Sequence, residues 1–306
     1  MPLTKYICKK LLYIVLILST VVVLSFFAVK LIPGDPVTAM FGQRGSTIEQ
    51  RQIIEKQLGL DKSYSEQLKT YLKNISQLNF GNSYILRNEK ASSLFWKNFR
   101  RTFLLTIYSC FLGSLIGIFF GSLSALWNKT KKSFIFEIIF LFLSSTPIFI
   151  IGFILQYYLA YHLKIFKISD SPTLPILTLS LAVSGSIYKI THNNMIDILK
   201  QPYILTAYSK GLSTTKVVFK HALKNALIPI LAQIGLIFIY LINGAVITEY
   251  IFNLQGIGKL VMKAFQDRDY PLLQCCIILI AFFISIFNLS LDLIYFWLNP
   301  KINQKI

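Results

Sequence analysis

Histidine, cysteine and acidic side chains are the groups in this 306-residue chain that could do acid–base, metal or redox chemistry, and their spacing assembles none of it. His162, His192 and His221 stand singly in separate segments, without the second ligand or nucleophile that metal binding or general-base catalysis needs. Cys8, Cys110, Cys275 and Cys276 form no C-x-x-C pair, and three of them sit in apolar runs, so neither a disulfide nor a structural metal is expected. Ala182-Val183-Ser184-Gly185 lacks the first glycine of a Gly-x-Ser-Gly nucleophile centre. The nearest approach to a phosphate-binding loop ends in Gly258-Lys259-Leu260, with Asn253 in place of its first glycine and Leu260 in place of the magnesium-holding hydroxyl. No cofactor is therefore expected on this chain. Glu137 and Asp292 are the carboxylates inside apolar runs, both towards the ends, a poor match to the midplane ionisable groups of secondary transporters.

The elements that must carry any function are membrane spans. Hydrophobic residues make up 54% of the chain and charged residues 14%, against about 25% in soluble domains, which excludes a soluble enzyme. Apolar runs cover residues 11–29, 103–126, 134–161, 174–190, 227–247 and 272–298, each near the length that crosses a bilayer. The first follows Lys5, Lys9 and Lys10 but is too long for a signal core, and it stops at Pro33-Gly34-Asp35-Pro36. Six spans put both termini on one side. The net charge of +18 says which. Lysines concentrate at the N-terminus, at 129–132, through 189–224 and at Lys301 and Lys305, while the two short outer loops are nearly neutral, so both termini face the cytoplasm by the positive-inside rule; the long segment 30–101 carries 12 basic and 6 acidic residues, but loops of that length weigh little in orientation. Lys97, Arg100 and Arg101 beside the second span run against it. This placement also removes a nucleic-acid partner, because the basic excess faces the anionic leaflet of the lipid bilayer.

Residues 30–101 form a long extracytoplasmic segment in which Ser46-x-x-Glu49 and Ser63-x-x-Glu66 have capping-box spacing, the second followed by Leu68, Tyr71, Leu72, Ile75 and Leu78 at helical intervals. Short amphipathic helices on the outer surface are expected there, with a docking platform for an external partner as the functional alternative. Pro147 in the third span and Pro229 at the entry to the fifth leave carbonyls unpaired and permit kinks, static or moving. Glu249 and Asp269, at the outer mouth, face either loop partners or a docked protein.

The most informative stretch is the loop between spans four and five, within residues 191–226. Residues 203–210 can form a short helix, Gly211 supplies an inexpensive positive φ at its end, and Ser213 can cap a second short helix from Thr214. A compact basic hairpin of this kind fits a groove in another protein or the lipid headgroups equally well.

This loop resembles the cytoplasmic signature of permease subunits of binding-protein-dependent ABC importers, in the branch that imports oligopeptides, dipeptides and nickel. Tyr203, Ala207, Lys210, Gly211, Leu212 and Ser213 match that signature, as do His221, Ala222, Leu223, Asn225, Ala226, Leu227, Ile228 and Pro229. Leu58-Gly59-Leu60-Asp61, Phe80-Gly81-Asn82-Ser83, Gly244-Ala245-Val246 with Glu249, Gly256-Ile257-Gly258, Arg268-Asp269-Tyr270-Pro271 and Asn288-Leu289 with Asp292 recur in the branch in the same order. Two positions depart from it. Tyr208 stands where the branch usually has Arg, and Leu205 replaces the acidic residue of the broader signature, so a docking salt bridge from either is not expected.

The resemblance implies an all-α integral membrane protein of the bacterial inner membrane with six transmembrane helices. Residues 1–29 form the first span, 30–101 the extracytoplasmic segment, and 102–306 a five-helix permease domain with a cytoplasmic coupling helix between spans four and five. It further implies a second homologous permease, two ATPase subunits carrying ATP and magnesium, and an extracytoplasmic solute-binding protein. Peptide is favoured over nickel as cargo; a stand-alone channel or secondary transporter leaves the coupling pattern unexplained.

Overall fold

The computed structural model describes residues 3–32, 36–41, 47–86, 89–167 and 171–298; Pro33-Gly34-Asp35, Ser46, Asp170, Lys301 and Lys305 lie outside them. Among the described residues the regular elements are helices, with one isolated bridge between Asn82 and Lys90. In chain order the helices are α1 (Leu3–Leu31), α2 (Pro36–Phe41), α3 (Ile48–Leu58), α4 (Tyr64–Ser76), α5 (Ala91–Leu126), α6 (Lys131–Ser145) and α7 (Ile148–Leu155), which continues as a π-helical turn over Gln156–His162. Then come α8 (Thr173–Leu199), α9 (Pro202–Ser209) and α10 (Thr214–Lys216), the last passing through a π-helical turn at Val217–Ala222 into α11 (Leu223–Gly244). Finally α12 (Val246–Ile251), α13 (Ile257–Gln266) and α14 (Tyr270–Leu298) complete the fold. Five helical stretches are long and apolar enough to cross a membrane: Thr4–Leu31, Ala91–Leu126, Thr173–Leu199, Thr214–Ile242 and Tyr270–Ile294. A further apolar stretch is a bent pair of helices, which makes six if it counts as one span.

That bend corrects the expectation of one continuous third span. Lys131–Ser145 and Ile148–His162 meet at 104°. Proline restricts the residue before it to extended backbone, and Thr146 adopts ψ 129 while Pro147 adopts ψ 135, so two successive residues leave the helix. The Thr146 hydroxyl caps the break by donating to the Phe142 carbonyl at 2.7 Å.

The chain divides into two compact units, Met1–Arg101 with Gln255–Leu289, and Thr102–Leu254 with Ser290–Ile306. In the first, α4 is tied to α1 by a 2.8 Å hydrogen bond between Ser25 and Tyr71 and by ring contact of Phe26 with Tyr71 at 5.4 Å. Ser63 caps α4 as its spacing suggests, its hydroxyl accepting from the Glu66 N–H. The cap of α3 is Thr47 rather than Ser46, in a reciprocal box with Gln50, because Gln at the third helical position reaches back to the Thr47 N–H as Glu would. Phe95 and Phe99 of α5 stack on Phe283 of α14.

The second unit is held by close helix packing. An added Cβ at Gly113, Gly117 or Gly121 of α5 falls 2.6 Å from Ser180 O, 2.8 Å from Ser184 O and 2.8 Å from Thr191 Cβ of α8 respectively. Gly185 of α8 leaves the same kind of space for α6, with Ser144 N at 2.7 Å. Small residues every fourth position let backbones approach where no hydrophobic effect drives helices together. Polar side chains pin one end of this bundle. Tyr188 donates to Ser124 at 2.7 Å, Ser124 and Ser133 share a bond of 2.9 Å, Ser133 donates to Glu137 at 3.0 Å, and His192 Nε2 lies 3.4 Å from the same Glu137 oxygen. Glu137 and His192 thus act in packing between helices.

Candidate functional site

The loop between α8 and α11 is built on the protein rather than hung from it. Pro202 occupies the first turn of α9, where its missing N–H costs nothing and its φ suits a helix start. Ile204 and Ala207, on one face, are buried in the core cluster with Val217, Val218, Ala222 and Ala226 of the following π turn and α11 and with Met195 of α8. Burying Ile204 fully contributes on the order of 2 kcal/mol. Tyr203 is held by Asn225, whose amide donates to its hydroxyl at 2.7 Å.

The end of α9 is a Schellman turn. Gly211 N–H donates to Tyr208 O at 2.9 Å and Leu212 N–H to Ala207 O at 3.4 Å, with Gly211 at φ +76. Leu212 packs against the same cluster as Ala207, as this turn favours. The second element is not a separate short helix as the spacing suggested. Ser213 is in extended backbone at the N-cap of α10 and makes no side-chain cap bond, and from Thr214 the helix runs on through the π turn into the fifth span. Val217, Val218 and Ala222 are buried with the other spans, and this keeps the chain helical past the expected end.

Of the residues singled out by sequence, the fold places Ala207 and Leu212 inward and Tyr203 beside Asn225, and leaves Lys210, Gly211 and Ser213 on the exposed turn. The outward face of α9 carries Tyr203, Leu205 and Tyr208, at 43%, 62% and 39% exposure. The two departures from the signature are therefore on the outside, where they present an apolar and aromatic surface in place of charge.

Pro147 stands at the helix break, and Pro229 lies inside α11 with no donor for the carbonyl of Asn225. Glu249 and Asp269 do not face outward. Both are 1% exposed: Glu249 accepts from the Thr102 hydroxyl, and Asp269 accepts from the Ser83 hydroxyl, Tyr84 N–H (3.1 Å) and Leu272 N–H (3.3 Å). Asp269 thus caps α14 and anchors residues 83–84 within the first unit. Burial and the nearby Asp269 push the Tyr84 phenol well above its ordinary range.

Two cavities of the second unit share Ser144, Ser145 and Ser186. One, of about 470 Å³, runs past the Pro147 break to Tyr240 and Thr248. The other, of about 540 Å³, is lined by Lys189, Asn193, Asn194 and Gln233. Sequence reading missed this second cavity because hydropathy ends the fourth span at 190 and assigns Lys189 to a loop, whereas α8 continues to Leu199. The spacing 186, 189, 193 on one helical face was the available signal. A further cavity of about 620 Å³ lies within the first unit among α1, α4 and the start of α14. Among the described residues no cluster of three His, Cys, Asp or Glu side chains could hold a metal ion.

Comparison with known proteins gives the same direction. Residues 117–304 match the family described as "Binding-protein-dependent transport system inner membrane component", and residues 3–89 match its N-terminal companion. A probable peptide ABC transporter permease protein of Sinorhizobium fredii is 32% identical over 97% of this chain and 98% of its own length. The glutathione transport system permease protein GsiC of Escherichia coli strain K12 is 32% identical over 98% of this chain and 99% of its own. Among solved structures, the MetNI methionine ABC transporter in an inward-facing conformation superposes with a TM-score of 0.61 at 16% identity, covering 68% of this chain and 97% of that one. An amino acid ABC transporter crystallised with histidines gives 0.52 at 20% identity, covering 67% and 94%. The chain belongs to the inner-membrane components of binding-protein-dependent transport systems, as a multi-pass permease subunit of an ABC importer.

Proposed function

We propose that this chain is one of two permease subunits that together enclose a pathway for short peptides, with both termini cytoplasmic. In this reading α9 sits in a groove of a separate ATPase subunit that holds ATP and magnesium, and a solute-binding protein delivers cargo from outside. The observation that carries the coupling role is the two-sided construction of α9. Ile204 and Ala207 lock it to the spans while Tyr203, Leu205 and Tyr208 stay available outside. A helix fixed on one face and apolar on the other transmits a push as a rigid body and binds by helix-in-groove contact. Tyr203, Ala207, Lys210, Gly211, Leu212 and Ser213 are the residues assigned to coupling, with Pro147 and Pro229 as points where spans bend during gating. The names of the relatives, one for peptide and one for glutathione, support peptide as cargo.

The test is site-directed cross-linking in the assembled complex. With Leu205→Cys a short bifunctional thiol reagent joins this chain to a subunit that binds ATP, whereas the buried Ile204→Cys gives no such product. Failure of Leu205→Cys to reach any ATP-binding subunit, in a complex shown to contain one, contradicts the seating of α9. Uptake of labelled di- and tripeptides, competed with nickel salts, then reads the cargo directly.

A further inference from the structure

The cavity at Lys189 lies away from both ends of α8, and Ser144, Ser145, Lys189 and Asn193 are exposed in it. Ser145 ends α6, fourteen residues from Lys131 and so roughly 21 Å along it. Lys189 is ten residues, roughly 15 Å, from the Leu199 end of α8 and roughly 24 Å from its start. Gln233 lies ten residues into α11, roughly 15 Å.

Apart from Leu141 and Ile190 the lining is polar, and it carries one sign of charge. Ser186, Lys189, Asn193 and Gln233 make no side-chain hydrogen bond or ion pair with any described residue. Asn194 spends one N–H on the Ile190 carbonyl at 2.8 Å and keeps its remaining capacity. No acidic side chain lines the cavity among the described residues, so nothing here neutralises the ammonium. Leaving such groups against hydrocarbon costs several kcal/mol each, so this face borders water, a partner subunit or a ligand rather than lipid. A lysine flanked by amides and hydroxyls offers one strong point charge and several neutral donors. That is the chemistry of a site for a carboxylate.

Resting on the peptide-import reading above, we infer that Lys189, with Ser186, Asn193, Asn194 and Gln233, forms an anion station in the wall of the pathway that holds a carboxylate of the passing solute and favours acidic over basic cargo. It is a selectivity site within this chain, additional to whatever the solute-binding protein selects. The station is open on one side, which lets cargo leave: the amides and hydroxyls bind without the geometric lock of an arginine fork.

The whole importer, reconstituted in vesicles with its binding protein and ATP, is offered two tripeptides differing only in a central Glu or Lys. Because one binding protein serves all variants, its own preference cancels when uptake ratios are compared. Lys189→Glu lowers the acidic-to-basic uptake ratio by about tenfold or more, as expected from reversing a charge within several Å of the cargo, and Lys189→Arg keeps the wild-type ratio. An unchanged ratio, or equal loss for both peptides, overturns the station. A second measurement reads the site without cargo. In a Cys8→Ser background, Asn193→Cys is exposed one turn from Lys189 while Cys110, Cys275 and Cys276 are buried. Anionic methanethiosulfonate reagents react there faster than cationic ones, and adding Lys189→Gln cuts that rate ratio by about tenfold. No reaction at all, or a ratio indifferent to Lys189→Gln, overturns the station. If wild type imports neither peptide, the peptide reading fails by itself, and the reagent ratio still decides the site.

Discussion

Gly211 offers the cleanest perturbation of the loop proposed to couple, because its substitution strains the backbone without a clash at the added Cβ. No heavy atom lies within 4 Å of an added Cβ, so no clash contributes. The backbone sits at φ +76, a region that costs a side-chain-bearing residue about 1–2 kcal/mol. Gly211→Ala should therefore strain the turn by about 1 kcal/mol, a roughly fivefold shift in any docking equilibrium. Gly211→Val should strain it by about 2 kcal/mol or more, comparable with the net worth of the two Schellman hydrogen bonds at about 1 kcal/mol each. The valine variant thus opens the turn, and Leu212 leaves the cluster that Ile204 and Ala207 anchor. Gly59 supplies the control. It closes α3 by the same motif, with φ +67, Gly59 N–H on Lys56 O at 3.1 Å and Leu60 N–H on Glu55 O at 2.9 Å. Gly59→Val brings equal strain to a helix remote in sequence from the coupling loop. The assay is solute imported per ATP hydrolysed in vesicles containing the whole importer. The ratio is expected to fall in the order Gly, Asn, Ala, Val at position 211, to about a tenth or less with valine, and to hold in Gly59→Val. An unchanged ratio in Gly211→Val, or an equal fall in Gly59→Val, refutes the reasoning.

Three other outcomes follow from packing and burial. Gly117→Leu forces a side chain where even a Cβ lies 2.8 Å from Ser184 O and Ile187 Cβ, so α5 and α8 separate and the yield of folded protein from membranes collapses, whereas the same change at exposed Phe119 is tolerated. Asp269→Asn replaces an acceptor of three hydrogen bonds with one that offers a single carbonyl, and is expected to destabilise the first unit by about 2–3 kcal/mol, read as a lowered Tm in detergent. The raised Tyr84 phenol, pushed up first by burial and then by Asp269, stays protonated in the folded state, while the unfolded chain loses that proton near its ordinary 10.0. Its contribution is complete below pH 10 and is lost as pH rises towards the folded value, so stability falls in alkali more steeply in wild type than in Tyr84→Phe.

How far the sequence alone reaches is clearest at its failures. The apolar runs marked the five continuous candidate spans and the bent pair among the described residues, and the α9 turn was legible from Gly211 because glycine takes a positive φ at no steric cost. Pro147 announced a break, but its 104° angle is set by how Thr146 and Pro147 share extended backbone and by what packs around them, which hydropathy does not carry. Lys189 was lost to a loop because Thr191, His192 and Met195 are buried by neighbouring helices, and that burial prolongs α8 beyond its apolar stretch. Val217 and Val218 likewise turn the expected second hairpin helix into the start of a span. For Glu249 and Asp269 the choice between loop partners and a docked protein stayed open because local sequence cannot show Thr102 or Ser83, which lie more than a hundred positions away.

The central claim, that this permease is driven by ATP hydrolysed on partner subunits reached through α9, is tested most directly by mild-detergent purification of the tagged chain from its native membrane. Two P-loop ATPases and a second permease of the same family should come with it, and the complex should take up solute only with ATP and a binding protein. A chain that purifies alone and conducts solute in vesicles without ATP contradicts the account.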